Sequence, residues 1–182
     1  MRVDPASHLI SGACYRPSPN ADERPADCQP SLIVLHNISL PPGQFGGPYI
    51  AQLFTNQLEA DAHPLFASIA DQRVSAHVLI QRDGRITQFV PFDRRAWHAG
   101  VSSYRGQENC NDFSIGIELE GTDQQPYEDA QYQVLATLID TLRIAYPALS
   151  KRGITGHSDI APQRKTDPGP AFDWQRLCRE LA

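Results

Sequence analysis

The chain has 182 residues, which fits one domain of ordinary size with a substantial buried core. Hydrophobic residues make up 41% and charged residues 20%, a globular balance that excludes a disordered chain, and no window approaches the roughly 18 apolar residues of a membrane-spanning helix. The net charge of −5, with no Lys/Arg-rich run, excludes sequence-independent nucleic-acid binding, which needs dense basic surface.

Residues 1–30 are rich in Pro, Asp and Arg and predict an irregular segment packed on the surface of a domain spanning 31–182. The opening MRVDPASHLISGACYRPSPN has no continuous apolar run of the kind a secretory leader carries, so a cytoplasmic protein is expected. The four cysteines, Cys14, Cys28, Cys110 and Cys178, show no paired spacing and read as free thiols of a reducing compartment. SLIVLHNI is a short, nearly continuous apolar run rich in β-branched residues, which predicts a strand buried on both faces. SLPPGQFGGP must be loop, and YIAQLFTNQL carries apolar positions at helical spacing. VSAHVLIQRDGRITQFV predicts two strands joined through an Asp-Gly turn.

FSIGIELEG alternates. Phe113, Ile115, Ile117 and Leu119 point one way, while Ser114, Gly116, Glu118 and Glu120 point the other, as on the floor of a cleft. DAQYQVLATLIDTLRIAY has clean helical periodicity and is ended by Pro147. RGITGHSD predicts a last short strand running into a loop, and FDWQRLCREL a closing helix. Strands and helices intermix, so the expectation is a single α/β domain with helices packed on the faces of one central sheet.

The residues able to do chemistry gather at the ends of these strands. His36 closes the SLIVLH run and His157 closes ITGH, where the loops beyond open α/β sheets form crevices. A core histidine is the commoner role for either alone; two in matching positions make a site as good a reading. Asp167, in KTDPGP, adds a short carboxylate on a loop stiffened by Pro168. Two imidazoles and a carboxylate suit Zn²⁺ with a position left open for water. Asp159 competes with Asp167, but two residues from His157 it needs a tight loop to face the same ion. Glu118 is a candidate general base, and Glu120 shares its face, so parity does not choose between them. Lys165 is one of only two lysines, the other being Lys151, and is a candidate cation for a developing oxyanion. His77 reads as a packing or supporting residue, and RRAWHAG, with His98 and Trp97, as a wall on which a sugar face can stack.

These segments carry a resemblance. VLHNISLPPGQFGGP, VSAHVLIQRDG, RAWHAGVSSY, CNDFSIGIELEGTD, YPAL and GHSDIAPQRKTDPGPAFDW resemble the N-acetylmuramoyl-L-alanine amidases in their AmpD branch, from about Ser31 to Trp174. The resemblance implies a central mixed β-sheet flanked by helices, as in peptidoglycan-recognition proteins. It implies one zinc ion on His36, His157 and Asp167, with Glu118 rather than Glu120 near it as general base and Lys165 as the catalytic lysine. The implied substrate is an anhydro-muropeptide, cut between the lactyl group of the muramoyl sugar and L-Ala during cell-wall recycling in the bacterial cytoplasm. Asn37, Arg73 and Trp97 match cleft-lining positions, with Arg73 suited to a carboxylate of the stem peptide. A monomer with no nucleic-acid or membrane partner is expected. The chain departs from the pattern at Ser158, where many relatives carry cysteine, and at Asn109, where some carry arginine; Arg105 could then support the stem peptide.

Two other readings compete. A recognition module of the same fold binds peptidoglycan without zinc, but it lacks the ligands and lysine that are all present here. A secreted lytic amidase acting on intact wall would need the leader that the opening residues do not resemble.

Overall fold

The apolar run at 32–35 opens the strand on which the domain is organised, and the two neighbouring strands explain why that run is apolar on both faces. The structure, a computed structural model, describes residues 1–149 and 153–182. The strands are β1 (Cys14–Tyr15), β2 (Ala21–Glu23), β3 (Leu32–Ile38), β4 (Val78–Ile80), β5 (Ile86–Gln88), β6 (Arg94–Ala96), β7 (Ser103–Tyr104), β8 (Gln107–Glu108), β9 (Ser114–Glu120) and β10 (Ile154–Gly156). The α-helices are α1 (Tyr49–Phe54), α2 (Asp129–Ala145), α3 (His157–Ile160) and α4 (Trp174–Glu180).

One mixed sheet runs in the order β1-β5-β4-β9-β3-β10. β4, β9, β3 and β10 are mutually parallel, β5 runs antiparallel to β4 as the Asp-Gly turn requires, and β1 adds parallel to β5 at the edge. Pairs β2–β6 and β7–β8 form small antiparallel ribbons. Parallel strands connect through crossovers whose helices cover the faces, so central strands are buried on both sides. On one face Ile33, Leu35, Ile115, Ile117 and Leu119 pack against Leu135, Leu138, Ile139 and Leu142 of α2. On the other, Leu79 joins Ile50, Leu53, Phe54, Phe66 and Phe89, and Leu32 and Val34 pack with Ala99, Phe113 and Ile160.

Helix α2 begins where the periodicity places it. Glu128 is its N-cap, with the Gln131 side chain accepting from the Glu128 N–H, while the Gln131 amide donates to the Glu120 and Ile80 carbonyls. That contact fixes the helix start against the ends of β9 and β4, the edge from which the site opens.

Two expectations need correction. The segment 1–30 is not wholly irregular: β1 and β2 lie in it, and the Arg24 guanidinium reaches inward. The last strand is shorter than RGITGHSD; Arg152 lies outside the described residues, and His157 opens the short helix α3 rather than a loop. Single 3-10 turns at Phe66–Ser68 and Cys110–Asp112 had no periodicity long enough to announce them.

Candidate metal centre and catalytic site

Register sets the site. β3 and β9 pair with His36 opposite Glu118, and β10 pairs with β3 so that its end delivers His157 beside His36. His157 starts α3, whose entry is held by Asp159: its carboxylate accepts from the Gly156 N–H at 2.9 Å and the Thr155 hydroxyl at 3.0 Å. Asp159 is thereby committed to the helix start and lies outside the cluster of His36, His157 and Asp167. The chain then loops back, and the Asp167 carbonyl accepts from the Ser158 N–H at 2.9 Å, which brings the Asp167 carboxylate over both rings.

Three donor atoms converge. His36 Nδ1 and His157 Nδ1 are 2.9 Å apart, and each lies 3.0 Å from Asp167 Oδ2. Both imidazoles are buried and Asp167 is partly so. The arrangement fits a metal on chemical grounds. His157 Nε2 lies 3.1 Å from the Ala99 carbonyl, which can only accept, so Nε2 carries the proton and Nδ1 keeps its lone pair. That lone pair faces a carboxylate oxygen, and two acceptors at this distance repel unless a cation lies against both. Two imidazole nitrogens and one carboxylate are the donor set of an open zinc site.

Around the centre, burial pulls the His36 imidazole down to about 4. Burial, reinforced by Asp167, pushes the Glu118 carboxyl well above the usual carboxylate range, against which the Lys165 ammonium pulls downward. Glu118 Oε2 is buried without a hydrogen-bond partner, whereas Glu120 accepts from the Gly46 N–H at 2.6 Å and the Arg82 N–H at 3.1 Å. Two acids on one strand face thus have different duties: Glu120 anchors loops, and Glu118 has an acceptor to spare. Lys165 is exposed, its backbone N–H bonded to the Ala161 carbonyl.

The remaining expected residues divide. Asn37 points to the face opposite His36, and its amide donates to Asp123 Oδ1 at 2.7 Å and to the Pro168 carbonyl at 3.1 Å. Both amide protons are used inside the protein, so Asn37 braces the Asp167–Gly169 loop. Trp97 is partly exposed and Arg73 exposed; the Trp97 N–H donates to Ser75 Oγ, which sets these two segments side by side. Asn109 is exposed and takes the left-handed φ of 57° that asparagine tolerates. Spacing gave no sign of Arg164, whose guanidinium donates to the Ala99 and Val101 carbonyls at 2.7 Å each and ties the loop that leads to Asp167 to the segment after His98.

Residues 26–170 match the N-acetylmuramoyl-L-alanine amidase family. The chain belongs to that family, in its AmpD branch. A 1,6-anhydro-N-acetylmuramyl-L-alanine amidase AmpD of Salmonella typhimurium (strain SL1344) is 67% identical over 161 residues, covering 88% of this chain and 86% of that protein. A crystal structure of a selenomethionine AmpD derivative superposes with a TM-score of 0.96 at 59% identity, covering all of both chains. The Escherichia coli amidase AmiD, in complex with the substrate anhydro-N-acetylmuramic acid-L-Ala-D-gamma-Glu-L-Lys, gives a TM-score of 0.61 at 31% identity over 94% of this chain and 60% of its own. As an AmpD-type amidase the chain has a sheet and helices in the arrangement of these structures. Among the described residues no helix is long and apolar enough to cross a membrane.

Proposed function

We propose that the chain hydrolyses the amide bond between the lactyl group of 1,6-anhydro-N-acetylmuramic acid and the L-Ala of the stem peptide, in cytoplasmic cell-wall recycling. The observation that carries this reading is the convergence of His36, His157 and Asp167 beside a buried Glu118 oxygen with no partner. One zinc ion on the three ligands would supply a Lewis acid and make water nucleophilic at neutral pH. Glu118 accepts the proton of the attacking water, the role its unpartnered oxygen leaves open, and later returns it to the leaving amine. Lys165 presents its ammonium to the negative charge growing on the carbonyl oxygen, and draws Glu118 toward the ionised form that a base needs. Trp97 offers an aromatic face to the sugar, and Arg73 a guanidinium to a carboxylate of the peptide, which lets a net acidic protein hold an acidic substrate. The branch membership and the AmiD complex support the substrate class. The chain is taken to act as a monomer, without nucleic acid or membrane.

Peptide release by the purified, zinc-loaded protein, compared between anhydro-muropeptides and intact peptidoglycan, tests the reading. Cleavage of the anhydro-muropeptides is expected to be the faster; no peptide released from them would sink it.

A further inference from the structure

We propose that His98 is a positioning residue of the metal centre: it accepts a hydrogen bond from His36 and so keeps bare the His36 nitrogen that meets the metal. The inference rests on the reading of His36 as a metal ligand. Each bond in the chain leading to it has its direction forced from the far end. The Cys110 carbonyl can only accept, and Ser114 Oγ lies 2.5 Å from it, so the hydroxyl proton is spent there. Ser114 Oγ is also 3.1 Å from His98 Nε2 and can only accept from it. A neutral His98 then carries its proton on Nε2 and has a bare Nδ1. His36 Nε2 is 2.9 Å from that Nδ1 and must donate. What remains on His36 is a lone pair at Nδ1, aimed at His157 Nδ1 and Asp167 Oδ2.

The protein is shaped around this relay. The His98 ring lies against β9 where there is no side chain: a Cβ on Gly116 would fall 2.4 Å from His98 Cγ and 2.6 Å from Nδ1. The backbone is held as well, with the N–H groups of His98 and Ala99 donating to Asn111 Oδ1 at 3.1 and 2.8 Å. The next carbonyl, that of Ala99, receives the His157 Nε2 proton. One dipeptide, His98-Ala99, therefore orients both imidazoles of the centre, through a side chain for His36 and a carbonyl for His157. Partners of this kind fix ligand tautomer and ring orientation, and their loss typically lowers metal affinity by about 10- to 100-fold.

The test uses the zinc-loaded full chain with ¹⁵N-labelled histidine. Long-range ¹H–¹⁵N correlation is expected to show neutral His98 protonated at Nε2, with a coupling across the hydrogen bond from His36 Nε2 to His98 Nδ1. His98 protonated at Nδ1 would overturn the proposal. In chelator competition, His98→Leu is expected to weaken zinc binding by about 10- to 100-fold. His98→Asn, which keeps an acceptor close to the Nδ1 position, should recover most of it. A folded His98→Leu protein that holds zinc as tightly as wild type overturns the relay and leaves the metal reading intact, whereas wild-type protein that binds no zinc removes both. If His98→Leu does not fold, the wild-type spectrum decides.

Discussion

Gly169 and Asp123 approach so closely that a Cβ on the glycine would lie 2.3 Å from the aspartate Cα. The glycine also has φ of +81°, and the Ala171 N–H donates to the Asp123 carbonyl at 3.0 Å. Together with the Asn37–Asp123 bond this contact presses the loop carrying Asp167 onto the end of β3.

Replacing Gly169 by Ala should therefore displace the third ligand. We expect a lower melting temperature and weaker zinc retention under chelator, with a destabilisation well above the roughly 1 kcal/mol that an unfavourable φ alone costs. Gly43→Ala is the control, since Gly43 has φ of +75° but nothing within 4 Å of an added Cβ. Equal effects from the two substitutions would deny the close approach its role. Asn37→Ala should act like Gly169→Ala, by about 1–2 kcal/mol for the two part-buried bonds lost, with little change in KM.

Glu118→Gln keeps the shape of the side chain and removes the base. Zinc content and melting temperature should stay near wild type while kcat falls by about 100-fold or more, as single-turnover kinetics can measure. Glu120→Gln should give the opposite pattern, because its carboxylate holds the Gly46 and Arg82 N–H groups. A Glu118→Gln enzyme with wild-type kcat would assign the proton transfer elsewhere.

Lys165→Ala is expected to cut kcat by about 100- to 1,000-fold, the scale of losing one oxyanion-stabilising group, with one zinc still bound per chain. Metal analysis alongside the rate measurement separates this from loss of a ligand: a drop in zinc content would show that Lys165 supports the centre rather than the oxyanion.

His77 gives a pH signature. It is fully buried, its Nδ1 accepting from the Gly116 N–H and its Nε2 facing the Arg94 carbonyl, and burial takes it down to about 3. As pH falls below about 6.5 the unfolded chain takes up a proton that the folded chain refuses until near 3. The stability His77 contributes is therefore whole above 6.5 and is lost between 6.5 and 3, at up to about 1.4 kcal/mol per pH unit. Urea unfolding from pH 7.5 to 5 should show a shallower pH slope for His77→Gln than for wild type. Zinc release contributes to both proteins alike, so the difference in slope isolates His77; identical slopes would mean that the ring is protonated in the folded state.

The sheet was legible because its strands are short runs with a strong period. SLIVLHNI and FSIGIELEG differ in pattern, yet both lie in the middle of the sheet, and the polar face of the second is buried because it lines the site. Spacing brought His36, His157 and Asp167 forward as a possible set, but the choice of Asp167 over Asp159 needed the family resemblance. The structure supplies a physical reason, since Asp159 is occupied at the start of α3. Glu118 and Glu120 are likewise indistinguishable by parity, and separate only when loops from elsewhere in the chain are seen to use Glu120. Asn37, His98 and Arg164 act through bonds to Asp123, His36 and Ala99, each 62 or more positions away, and no local pattern announces such partners.

Arg24 sets a limit on how the chain can be shortened. Its guanidinium donates to the Asn111, Asp112, Phe92 and Ser114 carbonyls and meets His77 Nε2 at 3.1 Å. The stretch that matches the family begins only at residue 26. A version trimmed to that stretch would lose β1, β2 and this guanidinium together, stranding four carbonyls beside the strand that carries Glu118. Fusion partners, tags and trimmed crystallisation variants are therefore best joined upstream of Arg2, whose carbonyl accepts from the Ser11 N–H at 2.9 Å beside the bridge of Val3 to Ile10.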